Sequence, residues 1–192
     1  MKKIMFNDRY GLTQAVIERR KTMTRRMISG SPLLPSDHIE EASYFAGFIQ
    51  IVANDGETLL EVESRYKVGE VVAVAQSYNS FYDDTYNPVL FPAGAGWENK
   101  MFVKAELMPH QIRITGIKCE RLYDISEADC LREGIRYLPQ IGKFYFEDMR
   151  REEGFYFDDH REAFASLIDK VSGRGTWGQN PWVVVYEFEL VK

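Results

Sequence analysis

A mainly β, α+β fold, built as a small barrel or strongly coiled sheet with two or three flanking helices, is predicted by three features of the 192-residue sequence. Apolar or alternating runs of strand length recur along the whole chain. Helical periodicity is confined to a few segments, and no strand–helix–strand alternation of the kind that builds a parallel sheet occurs.

In chain order, residues 3–6 read as a short strand, and Asn7-Asp8 as a cap for an amphipathic helix that ends near Lys21. Residues 22–28 alternate as a strand, with Thr22, Thr24 and Arg26 on one face and Met23, Arg25 and Met27 on the other. Ser29-Gly30-Ser31-Pro32 breaks it, and a loop runs to about Ala42. Residues 44–53 and 58–63 flank Asn54-Asp55-Gly56-Glu57, a hairpin signal. The apolar run 71–75 is a buried strand, and residues 77–99 form an aromatic-rich loop. A further strand is expected over 101–105 and a long half-buried one over 112–122. A helix follows, with Ser126 as N-cap, Asp129 at the capping-box position and Gly134 just past its end. Residues 144–157 read as a second hairpin, 160–171 as a core-facing helix, 173–178 as a flexible connection and 182–191 as the closing strand.

At 45% hydrophobic and 14% aromatic, the chain is predicted to fold around one substantial core as a single domain over 1–192. A net charge of −5 argues against a general polyanion-coating protein. Cys119 and Cys130 have no partner at ligand spacing, and His38, His110 and His160 lie in unrelated contexts, so neither a disulfide framework nor a metal site is expected. No apolar run is long enough to cross a membrane, and the N-terminal apolar run is too short for a signal peptide. A reducing, cytoplasmic setting without a cofactor is the expectation.

Against that acidic background, Glu18-Arg19-Arg20-Lys21-Thr22-Met23-Thr24-Arg25-Arg26 gathers five basic groups and two hydroxyls into nine residues. Cations in a last helical turn complement the helix dipole, which accounts for Arg19, Arg20 and Lys21. It leaves unexplained the two arginines inside a strand, and points to an anionic ligand. Glu133 is similarly out of place, because an acid at a helix C-terminus is opposed by the dipole.

Five boxes in order carry a resemblance: Arg20 to Arg26, Tyr66-Lys67-Val68-Gly69-Glu70, Ile112-Arg113-Ile114-Thr115, Asp124 to Asp129 with Glu133-Gly134, and Trp177-Gly178-Gln179-Asn180-Pro181-Trp182 with the strand after it. Together they resemble the ASCH domain family of the PUA-like barrels, above all its longer members encoded by tailed phages and prophages. The boxes cover roughly half the chain and leave 29–64, 78–100 and 136–160 as insertions. In one place the sequence departs from those relatives: after the apolar strand they carry an acid, a threonine and a tryptophan, where Gln76-Ser77-Tyr78 stands here.

The resemblance implies a PUA-like barrel that binds a nucleotide, a nucleoside or short RNA in a basic cleft around residues 20–26. It also implies an alternative, because a small bacterial member of the family is an amidohydrolase that deacylates N-acetylated cytidine. Its catalytic set falls by motif on Lys21 as base, Thr24 as nucleophile and Glu133 as acid. Ligand contacts are then expected from Arg20, Arg25, Arg26, Gln76 and Tyr78. A threonine hydroxyl needs an adjacent base, and Lys21 qualifies if burial and the neighbouring arginines lower its pKa. A third reading is a phage accessory or assembly protein that uses the barrel as an interaction surface.

Overall fold

The last strand of the chain is the centre of the molecule. Val183, Val184, Val185 and Tyr186 are all buried, so this strand is covered on both faces. In the computed structural model, which describes residues 1–28, 39–55, 59–81, 94–150 and 154–192, it is β11 (Trp182–Leu190). It pairs antiparallel with β7 (Gln111–Arg121) on one side and with β2 (Met23–Met27) on the other. The β7 ladder steps from Glu187↔Gly116 to Phe188↔Ile114, which leaves Thr115 as an extra residue and bends the strand pair. Beyond β7 lie β6 (Val71–Val74), antiparallel, and then β1 (Lys3–Ile4), parallel to β6. The sheet order is therefore β1-β6-β7-β11-β2.

Among the described residues β1 and β2 do not pair, so the ladder stays open and no closed barrel forms. The sheet nevertheless coils enough to bring its two edges into contact. The Arg26 guanidinium on β2 donates to the carbonyl of Met5, just after β1, and the Phe6 ring lies 5.6 Å from that of Phe188. A mainly β, α+β architecture is thus present, with α1 (Leu12–Ile17), α2 (Glu127–Arg132), α3 (His160–Ser172) and the one-turn α4 (Thr176–Gln179) around the sheets. The last replaces the flexible connection expected there.

Two further three-stranded antiparallel sheets are added to this frame. The first joins β3 (Ile39–Phe45), β4 (Phe48–Ala53) and β5 (Leu59–Glu63). The sequence pattern predicts one strand over 44–53, but Ala46 and Gly47 both adopt positive φ, 51° and 94°, and make a two-residue hairpin turn in its middle. The apolar run hid the turn because only one of its two residues is glycine. The expected Asp-Gly turn falls partly outside the described residues. The second sheet, in the order β10-β9-β8, joins β8 (Arg136–Leu138), β9 (Lys143–Phe146) and β10 (Phe155–Phe157), so the expected hairpin gains a third strand. The strand expected over 101–105 is instead two 3-10 turns, Lys100–Phe102 and Ala105–Leu107. Asn99 caps the first of them, and Lys3 Nζ takes the carbonyls of Met101 and Val103 that a strand partner would have used.

Helix α2 begins as the sequence indicates, with the Ser126 hydroxyl accepting from the Asp129 N–H at 3.1 Å. Asp159 does the same for α3, accepting from Arg161 and Glu162. The core-facing side of α3, through Ala163, Phe164 and Leu167, packs into the main core with Ile125, Ile135 and Cys130 around α2. Both helices thereby lie over the start of β2.

Candidate active site

Helix α1 ends four residues earlier than its amphipathic pattern suggests, and this places Lys21. Arg19 is in the left-handed region at φ 60°, while the Arg19 N–H donates to the Val16 carbonyl and the Arg20 N–H to that of Ala15. This is the Schellman closure, with arginine where glycine is usual. The chain leaves the helix extended, and the Lys21 side chain turns inward until it is 2% exposed. Its Nζ donates to Glu133 Oε2 at 2.6 Å and to the Glu133 carbonyl at 2.7 Å. The Thr22 N–H donates to the Arg132 carbonyl, so the end of α2 and the start of β2 are locked in register. Gly134, at φ 113°, permits this approach: a Cβ there would stand 3.0 Å from Leu12 Cδ2.

Arg25, on β2, reaches the same carboxylate. Its Nη1 donates to Glu133 Oε1 at 3.1 Å, and its Nη2 to Glu120 Oε1 at 2.6 Å and to Asp129 Oδ2 at 3.0 Å. Lys118 completes Glu120, and Arg132 bridges Asp129 and Glu187. Four cations and four carboxylates thus neutralise one another across β2, β7, α2 and β11. The acid that a helix dipole should disfavour is held by two buried cations, which is the separate cause that Glu133 lacked in the sequence.

Lys21, Thr24, Arg26 and Glu133 line one cavity of about 50 Å³, closed by Phe6 and by Leu167 and Val171 of α3. Thr24 is buried as a residue, and its hydroxyl, which makes no hydrogen bond to another described residue, is not fully enclosed. The Phe6 ring lies between the two cations, 5.8 Å from Lys21 Nζ and 5.9 Å from Arg26 Cζ. Burial pulls the Lys21 pKa below that of an ordinary lysine, Glu133 pulls it back up, and Arg26 and Arg25 add smaller downward pushes. Its Nζ makes no hydrogen bond to the Thr24 hydroxyl; the Glu133 carboxylate and carbonyl hold it in one orientation at the cavity.

The remaining candidates scatter. Arg20 pairs with Glu18 outside the cavity. Arg25 lines the cavity, but Nε, Nη1 and Nη2 are all engaged with carboxylates. Gln76 Oε1 accepts from His110 Nδ1–H at 2.7 Å in a separate concavity with Ser77 and Phe81. Tyr78 packs on Phe81 and donates its N–H to the Gly96 carbonyl. Neither residue therefore shares the Lys21 cavity; the rest of their loop, 82–93, lies outside the described residues. Phe6 was not indicated by the sequence, because its role rests on the sheet edges meeting. Among the described residues no cluster of His, Cys, Asp and Glu is arranged to hold a metal ion, and no helix is long and apolar enough to cross a membrane.

No family model, no characterised protein and no solved structure matches this chain.

Proposed function

We propose that the chain is an amidohydrolase that removes a short acyl group from the amine of a small molecule, with an N-acylated nucleoside as the substrate class implied by the ASCH resemblance. The observation behind this reading is the buried Lys21–Glu133 pair beside an unpartnered Thr24 hydroxyl in one small cavity. At about 50 Å³ the space holds only a few waters, each of which needs roughly 10–15 Å³. That suits an acyl group of a few atoms, with the rest of the substrate outside.

In this reaction Thr24 Oγ1 bonds to the acyl carbon while Lys21 takes the hydroxyl proton. The carbon–nitrogen bond then breaks, and Lys21 returns that proton to the departing amine. Water cleaves the resulting ester, releasing the carboxylic acid and restoring the hydroxyl. Glu133 accepts from Lys21 and Arg25 at its two oxygens, so its contribution is to orient Lys21 and share the proton along the 2.6 Å bond. Arg26 has one hydrogen bond, to Met5, and also lines this cavity, where a free N–H is available to the charge that develops on the acyl oxygen.

A binding-only module remains the second reading, favoured by Arg26 having no carboxylate partner among the described residues. The two part in a deacylation assay with N-acetylcytidine and longer acyl homologues. Turnover is expected for acetyl and falls as the acyl chain grows. Thr24→Val and Lys21→Met are expected to abolish it, with thermal melts showing that each variant is folded. A folded Thr24→Val protein that turns over at the wild-type rate removes the catalytic assignment.

A further inference from the structure

A second, larger cavity lies on the other side of Arg26. It is about 240 Å³ and is walled by Met27 and Val184 of the main sheet and by Ile49 and Val62 of the first added sheet. Val184 is the register partner of Arg26, as Tyr186 is of Thr24, so these side chains share one face of the sheet and Arg26 stands between the two cavities. The volume is below the roughly 300–1,000 Å³ of pockets for drug-sized ligands, so the occupant is fragment-sized.

The charge in this cavity is unbalanced. Lys21 and Arg25 are paired with carboxylates, whereas the largely buried Arg26 has only the Met5 carbonyl among the described residues. Burial disfavours its charge, Tyr66 and the more distant Glu133 attract it without a hydrogen bond, and Arg65, exposed at the mouth, repels it more weakly. The one acid in the lining among the described residues, Glu63, is at the exposed rim and pairs with Lys67 at 3.0 Å. The phenols of Tyr66 and Tyr186 are already committed, to the Lys3 carbonyl and to Ser64, and burial keeps both above the ordinary tyrosine range, so neither serves as a counter-ion. What these two residues present is ring surface, 5.1 Å apart and edge-on. A largely buried cation with no carboxylate in hydrogen-bond contact among the described residues, next to a second cation and beside apolar walls, is complementary to an anion carried on a flat apolar body.

We propose that this cavity binds a small organic anion, a phosphate or carboxylate held between Arg26 and Arg65, with its apolar body against Ile49, Val62 and the Tyr66 ring. The added β3-β4-β5 sheet then has a purpose, since without its Ile49 and Val62 the site has no second wall.

The test is calorimetric titration of the full chain with phenyl phosphate and with benzoate, with inorganic phosphate and neutral benzyl alcohol as controls that each lack one feature. Titration reads binding without turnover, so its outcome is independent of acyl hydrolysis. At least one aromatic anion is expected to bind about tenfold or more tighter than either control, and Arg26→Gln and Arg65→Ala each to weaken it by about tenfold. Preference for phenyl phosphate identifies a phosphate site and preference for benzoate a carboxylate site. Arg65 is exposed, so Arg65→Ala decides the matter even if Arg26→Gln does not fold. Aromatic anions binding no tighter than benzyl alcohol, or equally well to wild type and Arg65→Ala, overturn the proposal.

Discussion

Lys21 is where burial and charge contend most directly. Its amine is out of water, which favours the neutral form, and against a carboxylate, which favours the charged one; burial is the larger effect, so the pKa is lowered. In the proposed deacylation the base is the neutral amine, whose population rises with pH through that lowered value. The log of kcat/KM for deacylation is therefore expected to rise to a plateau with a midpoint below the roughly 10.4 of an ordinary lysine. A pH–rate profile checks this, and a midpoint at or above the ordinary lysine value would show that another group is the base. Of the residues involved, Lys21, Thr24 and Glu133 were legible in the sequence through the motif. That Arg25 is a structural counter-ion was not, because Glu120 and Asp129 lie 95 and 104 residues further along the chain.

At the scale of elements, the end of α1 shapes the site. Had the helix continued to Lys21, its side chain would follow the helical face; the left-handed Arg19 ends the helix early and lets Lys21 turn toward Glu133. The left-handed conformation costs an L-residue roughly 1–2 kcal/mol, and a β-branched residue tolerates it least. Arg19 offsets part of that by donating from Nη1 to the Leu190 carbonyl. Urea denaturation is expected to show Arg19→Gly within about 1 kcal/mol of wild type and Arg19→Val destabilised by at least about 1 kcal/mol more than the glycine variant. Equal stabilities would mean that this residue does not hold the turn. The sequence marks a helix end near here with basic residues, but a glycine-free stop lacks the usual sign, and for that reason its position was overestimated.

For the whole molecule, the decisive fact is where the basic stretch spends its charge. Read along the chain, five cations in nine residues point to an anionic ligand at a basic patch. In the folded protein Arg20, Lys21 and Arg25 are each paired with carboxylates of the same chain, and the total remains −5. Long-range attraction to a phosphate backbone should then be weak. Fluorescence anisotropy with a single-stranded RNA of mixed sequence is expected to show no saturable binding at micromolar protein and physiological salt. Tight binding with a steep salt dependence would favour an RNA-binding module over a small-molecule site.

The sequence by itself determined most of the strands of the central sheet, the caps of α2, and the unusual gathering of Lys21, Thr24 and Glu133 as candidates, because alternation, capping chemistry and motif order are local properties. Only the tertiary structure decided which charges cancel, that Phe6 and Arg26 join the first strand to the second, and that two cavities flank a single arginine. Those outcomes depend on how far the sheet coils and on which distant side chains meet, and burial, which sets the chemistry of each ionisable group, exists only after that meeting.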